Sequence, residues 1–363
     1  MRFSNSILRK IKSYKVSSPK AWALASDSEV LKLDWNESTI NPSPKVYNAI
    51  SDSVINKKWN WYPDINNTKL IQALSKYCGV NQNQVQYFAS SDALHEYIVR
   101  CFISNNDRIL TVTPTYDNFR AVAEANNGNI HSYSLDKNFK LDLSQLKSDL
   151  ELIKPKIVYL VNPNNPTGTE HDIDQLEELI KNSPDNLFIV DEAYFEFNGK
   201  TISYLTSFSD NLIISRTFSK AFGLASFRIG YCIAHESIIE TLNKIRNPKN
   251  VSLFAQEAAL AALEDFRYVS SYVKEVNLSK DVFFSFLQSK NWINPVHGAG
   301  NFIFMEIKNN VKRELIIFLE SNKVFVRDYG HIEQTKDYMR ITIGTMVQMK
   351  KVITVINAFE SKL

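Results

Sequence analysis

Short apolar runs alternate with stretches of helical spacing along most of the chain. Residues 66–78 (NNTKLIQALSKYC) place Leu70, Ile71, Leu74 and Tyr77 on one helical face. Residues 108–113 (RILTVT) read as a strand stopped by Pro114, and 156–161 (KIVYLV) as a buried strand stopped by Asn162-Pro163. Residues 172–182 return to helical spacing. Residues 187–190 (LFIV), closed by Asp191, and 211–215 (NLIIS) are further strands. Apolar strands separated by helical stretches predict βαβ units and a mostly parallel central sheet flanked by helices. From about 255 to 290 the pattern is strongly helical. NFIFMEI, KVFVRD and YMRITI then alternate as strands of a smaller α+β unit. The fold class is therefore α/β. It divides into an N-terminal arm with part of the small domain (1–38), a large α/β domain (39–250) and a small C-terminal α+β domain (251–363).

Composition narrows the function. With 363 residues, 44% apolar and 22% charged, the chain can bury a sizeable core in about two domains. Its 42 basic and 39 acidic residues balance too evenly for a nucleic-acid surface. Ten glycines are few against the usual ~7%. That scarcity speaks against glycine-rich phosphate loops, and neither G-x-G-x-x-G nor G-x-x-x-x-G-K-[ST] occurs. His95-Glu96-Tyr97-Ile98-Val99 starts like a zinc-protease helix but has valine where a second ligand belongs, so no metal is expected. No G-x-S-x-G elbow is present. Cys78, Cys101 and Cys232 are too scattered for a zinc cluster or a disulfide framework and read as free thiols of a reducing, cytoplasmic compartment. No run approaches the ~18 apolar residues of a membrane helix. Met1 to Ser26 carries no acid but holds Arg2, Arg9, Lys10, Lys12, Lys15 and Lys20, a basic arm rather than a targeting peptide.

Open parallel sheets bind ligands beyond the carboxyl ends of their strands, so the polar residues there are the candidates. Lys220 follows an apolar strand and a hydroxyl-rich turn and meets Ala221-Phe222-Gly223-Leu224-Ala225. A lysine is ordinarily a solvated surface charge. One desolvated here has a lowered pKa and a nucleophilic amine. Thr217 and Ser219 offer hydroxyls to an anion, and Arg228 a bidentate clamp on a phosphate. Asp191 reads either as a helix N-cap or as a buried acid holding a cation. Asn165 reads as a turn former or as an amide donor stiffened by Pro166. Tyr116 reads as a core aromatic or as a ring that stacks on a planar group. Tyr194 stands three residues after Asp191.

Taken together in this order, these residues resemble the pyridoxal-phosphate-dependent aminotransferases of fold type I, in their histidinol-phosphate aminotransferase-like branch. The resemblance runs from Leu33-Asp34-Trp35-Asn36-Glu37 through Tyr62-Pro63, Ser90-Ser91-Asp92, Pro114-Thr115-Tyr116, NPNNPTG, DEAYFEF and RTFSKAFGLASFRIG to VFVRD and MRITIG. It implies that Lys220 carries pyridoxal 5'-phosphate as a Schiff base and shuttles the proton. It implies that Asp191 pairs with the pyridine nitrogen, that Asn165 and Tyr194 contact the phenolic oxygen, and that Tyr116 stacks on the ring. Ser91, Asp92, Thr217, Ser219 and Arg228 would hold the phosphate, with Tyr62 reaching it from the partner of a homodimer whose active sites are shared. The Asn165-Pro166 bond is cis in such proteins.

Arg340, otherwise a structural strand arginine, matches the residue that grips a substrate carboxylate or phosphate. Arg327 matches a second phosphate-binding arginine, and Asn36 approaches the substrate. The implied activity exchanges an amino group between glutamate/2-oxoglutarate and a small phosphorylated substrate, histidinol phosphate or another phosphorylated amine or ketone. The alternatives are a decarboxylase of a phosphorylated amino acid, resembling threonine-phosphate decarboxylase, an aromatic amino acid aminotransferase, and a non-catalytic cofactor-binding scaffold. One departure stands out. The branch has glycine, a small residue, then Asp-Glu where this chain has Ser90-Ser91-Asp92-Ala93, so a serine hydroxyl is expected to supplement the backbone there.

Overall fold

The computed structural model describes residue 11 and residues 20–363. The basic N-terminal arm lies largely outside the described residues. The strands are β1 (Leu31–Lys32), β2 (Val85–Phe88), β3 (Arg108–Thr113), β4 (Asn129–Ser134), β5 (Ile157–Val161), β6 (Leu187–Asp191), β7 (Leu212–Thr217), β8 (Gly230–Ala234), β9 (Ile293–Val296), β10 (Phe302–Ile307), β11 (Val324–Phe325), β12 (Arg327–Asp328) and β13 (Tyr338–Thr342). The first three helices are α1 (Pro44–Asn56), α2 (Thr68–Cys78) and α3 (Ser91–Phe102).

A seven-stranded sheet in the order β2-β8-β7-β6-β5-β3-β4 forms the centre. β3 to β7 pair in parallel, and β8 runs antiparallel to both β7 and β2. The sheet is mixed but mostly parallel, as the apolar runs predict. Alternation along β5 shows why those runs are unbroken. Val158 and Leu160 enter one core layer, while Ile157, Tyr159 and Val161 enter another beside α3 residues Leu94 and Ile98. Both faces are covered, so every position is apolar.

A four-stranded antiparallel sheet, β12-β13-β10-β9, makes the smaller unit. KVFVRD does not act as one strand. Val324–Phe325 pairs in parallel with Leu31–Lys32, and Arg327–Asp328 pairs with β13 in the four-stranded sheet. The segment before residue 38 is thus tied to a strand near the C-terminus. The long helical stretch also divides, into Leu253–Glu264 and Phe266–Gln288. At the break Asp265 leaves helical geometry (φ −119°, ψ 43°) and its carboxylate accepts the hydroxyl of Ser43, the residue that caps α1. Among the described residues no helix is long and apolar enough to cross a membrane.

Candidate active site

The site gathers where β2, β3, β5, β6 and β7 end. Between β2 and α3 the chain turns at Ser90, with φ 96° and ψ 164°. That region is nearly exclusive to glycine and costs another residue about 1–3 kcal/mol. The Ser90 hydroxyl oxygen accepts the Ala93 N–H and caps α3. It therefore serves the helix first, where the sequence suggested an added anion contact. Gly230 makes the turn possible from the other side. A Cβ there would lie 2.7 Å from the Ser91 nitrogen and 2.8 Å from the Arg216 oxygen. The first turn of α3 then offers the free N–H groups and the positive dipole end that suit an anion.

Asp92 lies in that turn, yet its carboxylate is already engaged. It accepts from Tyr116 Oη (2.8 Å), Asn118 Nδ2 (3.1 Å) and Arg228 Nη2 (3.2 Å). A negative side chain cannot itself hold a phosphate. Asp92 offers its backbone N–H and anchors Tyr116 and Arg228 at the anion seat. Across from it, Thr217 ends β7 and its hydroxyl oxygen accepts the Ser219 N–H (3.1 Å).

The turn after Ser219 delivers Lys220, whose Nζ donates to the Trp35 carbonyl at 2.8 Å. Burial, reinforced by the charges of Arg340 and Lys32, lowers its pKa to about 8, against the opposing pull of Glu37 and Asp92. A useful fraction of Lys220 is therefore a neutral, nucleophilic amine near neutral pH.

Asp191 ends β6 and is 3% exposed. Its Oδ2 accepts from Tyr159 Oη at 3.0 Å and faces His95 Nε2 at 3.6 Å, while Oδ1 accepts the Ala193 N–H at 3.0 Å. Burial pushes its pKa up, while the hydrogen bonds from Tyr159 and the Ala193 N–H pull it back. A cation placed against this carboxylate would restore its full charge.

The opposite wall comes from the smaller unit. Asn36 is fully buried in the left-handed region (φ 58°). Its Nδ2 donates to Tyr194 Oη (3.0 Å), and its Oδ1 accepts from Thr342 Oγ1 (3.1 Å). Burial raises the Tyr194 pKa, so that hydroxyl keeps its proton. Arg340 Nη1 donates to Asn165 Oδ1 and to Tyr329 Oη (3.0 Å), and Nη2 to the Asp34 carbonyl (2.7 Å). The guanidinium thereby fixes the Asn165 amide and leaves its Nδ2 to donate elsewhere. The Asn165-Pro166 bond is cis, as are Thr113-Pro114 and Asn162-Pro163. Arg327 and Arg340 stand directly opposite each other on β12 and β13. They are 9% and 5% exposed, and both guanidinium groups lie within 6.0 Å of the Tyr329 ring centre.

Most of the sequence candidates thus converge. Tyr62 does not: it is 75% exposed, and its ring carries Lys249 at 4.3 Å rather than a site residue. Sequence reasoning missed Trp35, Tyr159 and Tyr329. Trp35 acts through its carbonyl, which no side-chain pattern signals. Tyr159 is one apolar-looking position in a buried strand. Tyr329, two residues beyond Arg327, had only that proximity to mark it.

The arrangement offers an anion seat at α3, a buried acid seeking a cation, an amine whose pKa is lowered to about 8 and a pair of arginines. Those are the needs of a phosphorylated pyridine aldehyde and an anionic substrate, so the residues fit the expected cofactor. Comparisons with known proteins agree. The family Aminotransferase class I and II matches residues 28–356. The chain is 41% identical to a dihydroxyacetone phosphate transaminase of Campylobacter jejuni, covering 99% of this chain and 98% of that protein. It is 32% identical to a histidinol-phosphate aminotransferase of Ruminiclostridium cellulolyticum, over 88% of this chain and 89% of the relative. Among solved structures, the histidinol-phosphate aminotransferase of Sinorhizobium meliloti in complex with pyridoxal-5'-phosphate superposes with a TM-score of 0.89. It covers 99% of both chains at 23% identity.

Proposed function

The chain belongs to the aminotransferase class I and II family, and from that premise we propose that it moves an amino group from glutamate to a small phosphorylated ketone, with pyridoxal 5'-phosphate as its cofactor. The 41% identity to a dihydroxyacetone phosphate transaminase, over nearly the whole length of both chains, favours a three-carbon ketone over the histidinol phosphate of the more distant relatives. The observation that carries the reading is the Arg327–Arg340 pair. Like charges placed opposite each other on adjacent strands repel. The partners of Arg340 are all neutral, and its buried Nε has none among the described residues. A bound anion would satisfy that Nε and neutralise Arg340.

When bound, the cofactor supplies an aldehyde and an electron-withdrawing ring that acidifies the C–H bond beside the substrate nitrogen. The chain's residues do the rest. Asp191 would hold the proton on the ring nitrogen. Asn165 Nδ2 and Tyr194 Oη would donate to the ring oxygen, and Tyr116 would pack on the ring. Ser91, Asp92, Thr217, Ser219 and Arg228 hold the phosphate through N–H, hydroxyl and guanidinium donors. Lys220 Nζ takes the proton from the substrate carbon and delivers it again. Arg340 and Arg327 hold the substrate anion, and Asn36 orients Tyr194.

The enzyme works as a homodimer. Tyr47, Ile55, Trp59, Trp61, Tyr62 and Ile65 are all exposed within one short stretch, an apolar concentration typical of an interface. Tyr62 would then reach the partner's phosphate. The three cysteines are free thiols, in keeping with a reducing cytoplasm.

The test is a substrate panel with the full-length enzyme: dihydroxyacetone phosphate against dihydroxyacetone as acceptor, and histidinol phosphate against phenylalanine as donor. We expect kcat/KM for dihydroxyacetone phosphate to exceed that for dihydroxyacetone about 100-fold, the worth of two charge-assisted hydrogen bonds. Equal use of the unphosphorylated ketone, or preference for phenylalanine, would remove the phosphate assignment. Carbon dioxide release from threonine phosphate would favour the decarboxylase instead.

A further inference from the structure

His95 opens a motif that resembles a metal-binding helix, yet among the described residues no group of His, Cys, Asp and Glu is placed to hold a metal ion. Its surroundings give it another task. In α3 it follows Ser91 by four residues and Asp92 by three, so helical spacing turns all three to one face. The helix that seats the phosphate therefore also carries an imidazole toward the deep wall of the site. His95 is 0% exposed, with its ring edge-on to Phe119 (5.6 Å) and Tyr159 (5.5 Å). Neither ring nitrogen has a hydrogen-bond partner among the described residues. Nε2 faces Asp191 Oδ2 at 3.6 Å, the same oxygen that accepts from Tyr159.

An imidazole left unpaired in a core costs about 1–3 kcal/mol, which leucine at the same place would avoid. The carboxylate that Nε2 faces is Asp191. A separation of 3.6 Å is long for a hydrogen bond, but such contacts tighten when a ligand arrives. Burial lowers the His95 pKa, so the ring is neutral and carries one proton. The carboxylate beside Nε2 draws the proton to that nitrogen.

We propose that His95 is a positioning residue for Asp191: its Nε2–H donates to Oδ2 and fixes the carboxylate that meets the protonated ring nitrogen of pyridoxal phosphate. The inference rests on the cofactor assigned above. A donor on the charged form keeps a buried carboxylate ionised. With Tyr159 and the Ala193 N–H, His95 completes a three-donor frame around Asp191. Removing one such outer partner typically weakens binding at the centre it supports by about 10-fold or more.

The test measures binding of pyridoxal phosphate, and of an analogue whose ring nitrogen is replaced by CH, to the full-length apo-protein carrying His95→Leu or His95→Gln. Expected for His95→Leu is about a 10-fold loss of affinity for pyridoxal phosphate, less than a twofold change for the analogue, and an undiminished melting temperature of the apo-protein. His95→Gln, whose amide N–H extends about as far as Nε2, restores most of the loss. Unchanged affinity in His95→Leu, or an equal loss for both ligands, would overturn the proposal. If the leucine variant does not fold, His95→Asn, with a shorter amide that stops before Asp191, must show the same ligand-dependent loss; an equal loss for both ligands again overturns it. Failure of the unsubstituted protein to bind pyridoxal phosphate would overturn the cofactor assignment and this inference together, and shows without any substitution.

Discussion

At the deep end of the site, Asp191 stands at the tip of β6 with donors from the central sheet and the chain just after it, and with His95 of the helix beneath facing it at 3.6 Å. At the outer end, Arg340 stands on β13 of the smaller sheet and leans on the distant Asp34 and Asn165 and on nearby Tyr329. The first end is complete but for a cation. The second sets Arg327 and Arg340 opposite each other and leaves the buried Nε of Arg340 without a partner among the described residues. Their contrast separates what the fold supplies from what the ligands supply. On the proposed function the deep end can be rigid because it meets the same ring in every turnover. On the proposed function the outer end accepts and releases two different substrates, and the neutral partners of Arg340 leave it able to do so.

Substitutions at the two ends should therefore fail differently. Asp191→Asn keeps shape and removes the charge proposed to face the ring nitrogen. Loss of one member of a buried ion pair predicts about a 10³-fold fall in kcat, with weakened cofactor binding, measured by steady-state kinetics and equilibrium titration. Arg340→Lys keeps the charge and loses the planar fork. It should lower kcat/KM about 100-fold for glutamate and for the phosphorylated acceptor while cofactor affinity changes little. If Arg340→Lys weakened cofactor binding as much as Asp191→Asn, the division into two ends would not hold.

Between the ends, Lys220 gives a pH dependence. Its pKa is lowered to about 8 by burial first and by Arg340 and Lys32 second. The neutral amine, and with it the rate at which the apo-protein captures pyridoxal phosphate, should rise with pH and reach half its plateau near pH 8. A plateau reached only where free lysine titrates would show that Lys220 is solvated. The smallest effect is expected at the turn before α3. Ser90→Gly relieves an unfavourable backbone but loses a cap and adds chain entropy. The balance favours the variant by about 1 kcal/mol, a rise in melting temperature of roughly 2 °C, read by calorimetry. Destabilisation instead would mean that the Ser90 cap outweighs its strain.

The same contrast governs what was legible in the sequence. Asp191, Asn165, Thr217 and Lys220 each follow an apolar strand, so the rule that sites form at strand ends singles them out. β3, β5, β6 and β7 were legible from their apolar runs, whereas β2 (VQYF) and β8 (GYCIA), buried throughout, were not read as strands. β4 (NIHSYS) escaped because it is an exposed edge with no apolar run. The split of KVFVRD between two sheets escaped because its pairing depends on Leu31–Lys32, nearly 300 residues earlier. Tyr329 and the Trp35 carbonyl are joined to the site by contacts across the two units, and no local pattern carries such information. His95 was noticed for its motif, but its partner lies on a strand 96 residues away.

The central claim is that Lys220 performs amino transfer to a phosphorylated ketone, and one assay reaches it most directly. Unsubstituted protein and Lys220→Ala are each incubated with pyridoxal phosphate, glutamate and dihydroxyacetone phosphate, and 2-oxoglutarate is measured against the aminated phosphate product. The unsubstituted protein should form the two in equal amounts over many turnovers. Lys220→Ala should fold normally and lose about 10⁴-fold or more in rate, because one group serves as both nucleophile and proton carrier. Turnover by Lys220→Ala at the unsubstituted rate, or no 2-oxoglutarate from the unsubstituted protein, would contradict the account.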